Sequence, residues 1–140
     1  MQRMVRLWDA KRGERAWPLR SDLDPIEFRF VLGYVSLIDV HSYPAGQPRR
    51  FFFRVDGTKQ VALFGIDCTG KSLDQIVLPS GMHAALESFN TAVVSGDPQY
   101  RARSIEFHER LLNYEIVVLP LSRRGTAIDM LMTVVLPEDK

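Results

Sequence analysis

The chain has 140 residues, 46% hydrophobic and 25% charged, the balance of a soluble globular domain long enough to bury one core. Its formal net charge of +1 gives no general electrostatic grip on nucleic acid or anionic lipid. The single cysteine, Cys68, excludes an internal disulfide framework and a zinc site of several thiolates.

The N-terminus lacks the continuous apolar core of a secretory signal, and no apolar run approaches the ~20 residues needed to cross a bilayer. The expectation is a cytoplasmic, reduced protein with no membrane insertion. Residues 1–15 suit a helix that Gly13 weakens or ends, with Met4, Leu7 and Trp8 in a narrow apolar stripe. That stripe can lie back on the domain or pair with a second copy, and these three residues are the candidate homodimer contacts. Asp24 followed by Pro25 signals a short helix running to about Phe30, with Ile26, Phe28 and Phe30 partly buried. Residues 1–33 therefore read as a helical cap, and 34–140 as the main domain.

Residues 34–43 read as a strand, with Val35, Leu37 and Asp39 on one face and Ser36, Ile38 and Val40 on the other. A Pro/Gly loop leads to a second strand, residues 51–55, where Phe51, Phe53 and Val55 share a face. Arg49-Arg50 and Arg123-Arg124 sit beside Pro or Gly and read as solvated loop tips in preference to phosphate-binding patches. Thr58 to Phe64 looks helical, capped by Gly65. One more turn fits Ser72 to Ile76. A longer helix follows, with Ser80 as its cap and Met82, Ala85, Leu86, Phe89, Ala92 and Val93 on one face. Gly96 ends it. Three strands close the chain, near 99–107, 111–121 and 127–136. Short connections within each strand group favour antiparallel pairing, and the helices between the groups suit an α+β layer arrangement.

This order resembles the PAS domain, one five-stranded antiparallel sheet with helices packed on one face. Phe53-Arg54-Val55 resembles its second strand, Leu63-Phe64-Gly65 the end of its first helix, and Thr69-Gly70-Lys71-Ser72-Leu73 the turn that follows. The chain is more closely similar to a bacterial family of small stand-alone PAS proteins. The likeness is carried by Leu7-Trp8-Asp9, Pro18 to Pro25, Arg54 to Thr58, Phe64 to Gly70, Leu119 to Ser122 and Asp129-Met130-Leu131. The resemblance implies a PAS-like sheet with an N-terminal helical extension and a sensory or binding role in signal transduction. It names no ligand.

A PAS-type pocket between sheet and helices would be lined by Leu37, Phe53, Val55, Leu63, Phe64, Met82, Leu86, Tyr114, Ile116, Met130 and Met132. The same residues would equally build a plain close-packed core. A haem would need His83, which is offset from the apolar face of its helix, so haem is not expected. The flavin photosensor subgroup carries Asn-Cys-Arg-Phe-Leu, where this chain has Ile66-Asp67-Cys68-Thr69-Gly70, so flavin is not expected either. No metal site is expected, because His83 stands apart from other ligand types. Asp39 with His41, and Glu106 with His108, could each set an acid beside a base, but half-exposed strands produce such pairs routinely. Gly70-Lys71-Ser72 lacks the preceding strand and long following helix of a phosphate loop. The sequence therefore favours a non-enzymatic sensory module with a small apolar ligand or a signalling-protein partner. A scaffold with a filled core, and a small thioesterase-like α+β enzyme, are the alternatives.

Overall fold

A computed structural model of the chain describes residues 1–44, 46–76, 81–107 and 109–138, with the side chains of 81–83, 107 and 110 outside that description. The expected Ser80 cap, the side chains of Met82 and His83, and all of His108 lie outside the described residues.

The sheet contains β1 (Val35–His41), β2 (Arg50–Val55), β3 (Gln99–Phe107), β4 (Arg110–Leu121) and β5 (Met130–Pro137). Their order is β2-β1-β5-β4-β3, and every neighbouring pair is antiparallel. The last strand thus inserts between the first and the fourth and joins the two hairpins into one layer. Three α-helices accompany it: α1 (Gln2–Arg12), α2 (Thr58–Phe64) and α3 (Gly81–Ser95). Gly65 ends α2 at φ 75°, the left-handed conformation that glycine adopts without strain, and its N–H closes on the Val61 carbonyl at 2.7 Å.

Alternation gives β5 two apolar sets, and both are buried. Leu131 joins Ile38, Val40, Phe51, Phe53, Phe89 and Ala92 beneath α3. Met130, Met132 and Val134 pack with Met4, Trp8, Leu23, Phe28 and Val31 on the opposite face. Helices α2 and α3 therefore share one face, and the N-terminal segment roofs part of the other.

This roof changes the reading of α1. Met4 and Trp8 are only 1% and 3% exposed, covered by their own chain, so they are not free to hold a second copy. Leu7 is partly buried at the edge of the same cluster. The physical reason lies at the edge of β4. Strand β3 begins at Gln99 opposite Val118, so β4 runs on without a neighbour on that side. The chain at Pro18–Arg20 fills the gap: the Arg20 N–H donates to the Ser122 carbonyl at 2.8 Å, and the Ser122 N–H donates to the Pro18 carbonyl at 3.2 Å. Between them Pro120 has no N–H to offer, and its carbonyl accepts the Trp8 indole N–H at 2.8 Å.

Two local features depart from the sequence expectation. Pro25–Tyr34 runs on to Tyr34 as 3-10 helix, with non-helical backbone at Phe28. Its tighter winding buries Phe28 and Val31, three apart, and leaves Ile26 71% and Phe30 41% exposed, so the three expected core residues do not share a face. The second is a β-bulge. Leu37 pairs with Val55, but Ile38 pairs with Phe53, which leaves Arg54 as the extra residue. Val55 is thereby turned away from Phe51 and Phe53 onto the opposite face.

Replacing Trp8 by Phe keeps most of the apolar volume but strands the buried Pro120 carbonyl. Unfolding titration in urea should show a loss of about 1–3 kcal/mol. A midpoint equal to that of the parent chain would mean the indole hydrogen bond contributes nothing.

Candidate functional site

Between the sheet and helices α2 and α3 lies a cavity of about 80 Å³. Its walls are mainly apolar: Phe53 from β2, Phe64 from α2, Phe89 from α3, Ile105 from β3, Tyr114 and Ile116 from β4, and Val135 from β5. Phe64 meets Tyr114 edge-on, with ring centres 5.4 Å apart. Asp56, Gln60, Cys68 and Thr133 add polar groups along one side. An apolar cleft with a few convergent polar groups has the general character of a small-molecule site.

The polar side is built as a knot around Asp56. The Ser36 hydroxyl donates to Asp56 Oδ1 at 2.7 Å, and the Cys68 backbone N–H donates to Asp56 Oδ2 at 3.1 Å. The Asp56 N–H in turn donates to Thr69 Oγ1 at 3.2 Å. One carboxylate thus ties β1, the start of α2 and the loop after it. Gly57 follows because the chain passes so close to Gly33 and Val35 that a Cβ there would collide with their carbonyl groups. The Gln60 amide lies 3.0 Å from the Ser36 hydroxyl, whose single proton already goes to Asp56. Turning the Gln60 amide so that its NH₂ donates to Ser36 satisfies both, and either orientation leaves one end of the amide facing the cavity. Tyr114 has no hydrogen-bond partner among the described residues, and its hydroxyl pKa is raised by burial, with Arg103 opposing. No fully buried side-chain polar atom lacks a partner among the described residues, so this hydroxyl keeps contact with open space.

The predicted pocket residues divide between the two faces. Phe53, Phe64, Tyr114 and Ile116 line this cavity together. Leu63 packs beside it with Phe64 and Tyr114. Leu86 faces an open groove beside the β1–β2 loop. Leu37, Val55, Met130 and Met132 do not belong to the cavity. The bulge at Arg54 carries Val55 across, and the two methionines lie on the other face of β5. Sequence reading missed Asp56 and Gln60. The signal was present in part, since Gln60 and Phe64 stand four apart and share one face of α2.

Other candidates resolve on contacts. Asp39 is held by two guanidinium groups, Arg54 at 3.1 Å and Arg123, while exposed His41 stacks edge-on against Phe52. Among the described residues no hydrogen bond joins Asp39 to His41. In Gly70-Lys71-Ser72 the backbone is already spent: the Gly70 N–H donates to Phe53, the Lys71 N–H to Cys68, and the Ser72 N–H to Gln75 Oε1. No backbone N–H of the three is left to cradle a phosphate. Arg49 is not a solvated tip, because it donates to Asn90 of α3 at 3.3 Å. Arg50 pairs with Asp74 at 3.6 Å and lies over the Phe52 ring.

Size limits what the cavity can hold. Small-molecule sites usually measure ~300–1,000 Å³, against about 80 Å³ here. A molecule of a few heavy atoms fits among these side chains.

A family profile described as PAS domain matches residues 1–135. The PAS domain of Bordetella pertussis BvgS superposes with a TM-score of 0.58 at 15% identity, over 84% of this chain and 89% of that one. The LOV domain of the blue-light photoreceptor Aureochrome1 gives 0.55 at 12% identity, over 81% and 87%. A Light-Oxygen-Voltage domain examined with a flavin analogue gives 0.53 at 12% identity, over 76% and 77%. These likenesses show the fold. No curated protein matches the chain.

Burial, followed by the neighbouring Asp56, pushes the Cys68 thiol up to about 12. The thiolate is the reactive form, so Cys68 should resist Ellman's reagent at pH 8 until urea unfolds the chain. The sign also sets a stability trend. The unfolded thiol ionises near its ordinary 9, while the folded thiol holds its proton to about 12. This contribution is complete below pH 9 and is lost between 9 and 12. In a Cys68→Ala variant the fall in stability over that window should be shallower than in the parent. Rapid labelling of the folded protein at pH 8 would contradict the assignment.

Proposed function

The chain belongs to the PAS domain family, and from that membership we propose that it is a non-enzymatic sensory module of bacterial signal transduction, acting in the cytoplasm. The observation that carries this reading is the small, partly polar cavity in which Gln60 and Tyr114 hold hydrogen-bonding capacity that no described residue uses. Its ligand is small and uncharged. Among the described residues Asp56 is the only carboxylate lining the space and is already engaged at both oxygens, and no lysine or arginine lines it.

The response follows from the knot around Asp56. A ligand that takes the Gln60 amide alters its contact with Ser36, and Ser36 shares Asp56 with the backbone of Cys68. Binding at the cavity thereby acts on the 66–72 loop. A ligand shifts this arrangement only by its differential affinity for two states of the loop. The chain works as a homodimer, and its contact passes through Leu7 and the exposed side of α1, since Met4 and Trp8 are used internally. The main alternative, a scaffold with a filled core, draws support from the same cavity's modest size.

Native mass spectrometry of freshly purified protein should show a small neutral species that departs on denaturation. An Ala85→Leu variant, which fills the cavity from α3, should purify without it and melt higher. An empty parent protein whose melting temperature no small neutral molecule raises would favour the scaffold reading. For the dimer, Leu7→Asp should move the size-exclusion peak to the monomer position with the circular dichroism spectrum unchanged. An unmoved dimer peak would remove α1 as the contact.

A further inference from the structure

The face of the sheet opposite the cavity carries a second concavity, and its chemistry is different. A groove of about 590 Å³ runs between the 25–34 segment and the start of α2, across the ends of β1 and β2. Its accessible apolar surface comes from Leu37, Leu32 and Val55, with Met132 and Phe28 buried directly beneath. Leu32 and Val55 are each 47% exposed, which is unusual for apolar residues that converge on one hollow. The bulge at Arg54 is what delivers Val55 here, and the 3-10 winding is what leaves Leu32 outward.

The charged groups at the rim are of one kind. Arg20 and Lys59 line the groove, and neither has a carboxylate partner among the described residues. Arg20 gives one hydrogen bond to the Leu23 carbonyl at 3.2 Å and keeps the rest of its fork. The Lys59 ammonium lies 5.5 Å from the centre of the Tyr34 ring. Among the described residues Asp56 is the only carboxylate of the lining, and its two oxygens are bonded to Ser36 and Cys68. An apolar trough with two uncompensated cations at its edge is complementary to a molecule with an alkyl chain and an anionic head. The volume lies within the ~300–1,000 Å³ range of small-molecule sites.

We propose that this groove binds a free single-chain amphiphile with an anionic head, of the fatty-acid carboxylate class. The chain lies on Leu37, Leu32 and Val55, above the buried Met132, and the carboxylate meets Arg20 and Lys59. The sheet separates the groove from the interior cavity, with Asp56, alone among the described residues, at their shared boundary: Met132 lies on the groove side and Thr133, next in β5, on the cavity side.

The probe is decanoate below its micelle threshold, titrated into the full chain while the Met132 methyl resonance is followed by NMR. Decyltrimethylammonium, with the same tail and opposite head, is the control. Decanoate should saturate and shift Met132, and the cationic control should bind about tenfold more weakly or worse. Lys59→Gln, a surface change, should weaken decanoate several-fold, and Val55→Asp should abolish it. Tyr114→Phe, which alters only the interior cavity, should leave it unchanged. Should Val55→Asp fold poorly, Leu32→Asp supplies the same test from the other side of the groove. Equal binding of both head groups, or loss of decanoate in Tyr114→Phe, would overturn the proposal. So would a dimer that buries Val55, or sedimentation with anionic vesicles by a chain that ignores free decanoate.

Discussion

Strand β5 is the constraint from which the rest follows. Every residue from Met130 to Val135 is buried, so both faces of the sheet must be covered at its centre. An exposed second face would leave Met130, Met132 and Val134 in water, and each fully buried side chain of that kind is worth about 1.5–3 kcal/mol. The N-terminal segment supplies the missing cover. It is held there by more than apolar contact, because β4 outruns β3 and leaves backbone groups that Pro18–Arg20 and Trp8 satisfy. Covering the apolar strand and completing the sheet edge are one event, and α1 is consumed in it.

Two buried faces permit two concavities, and the sheet keeps them apart. The α2/α3 side encloses a small space lined by aromatics and a few neutral polar groups. The N-terminal side leaves a longer open trough with cations at the rim. Asp56 stands at the boundary and lines both. Its side chain serves the inner knot, while the turn it begins shapes the outer groove. A single carboxylate is thus where strain from either side would meet, although its two oxygens are bonded only on the inner side.

The proposed binding role fits the state of the polar groups around the cavity. Three groups that could do acid–base work are engaged: Asp39 by two guanidiniums, Asp56 by a hydroxyl and an amide, and the Cys68 thiol by burial. The hydrogen-bonding groups with capacity to spare are Gln60 and Tyr114, which are neutral and face an apolar space. That combination suits the neutral ligand proposed for the cavity.

Much of the architecture was legible along the chain. Asp24-Pro25, Gly65, Gly96 and the Pro/Gly turns bound the elements, since each meets a local backbone requirement that neighbouring residues alone decide. Short connections made the strand pairs antiparallel. Phe53, Phe64, Tyr114 and Ile116 could be grouped because each belongs to an apolar face that alternation or helical spacing marks in its own element. What only the tertiary structure decided was the assignment of faces. Alternation splits β5 into two sets, both apolar, and a strand buried on both sides carries no mark of which set meets which helix. Sequence reading places Met130 and Met132 in the pocket, and only the packing of α1 shows that they lie on the other face. The bulge at Arg54 was hidden for a related reason. An extra residue changes the face of everything after it, yet it depends on the partner strand's register, which no stretch of β2 contains.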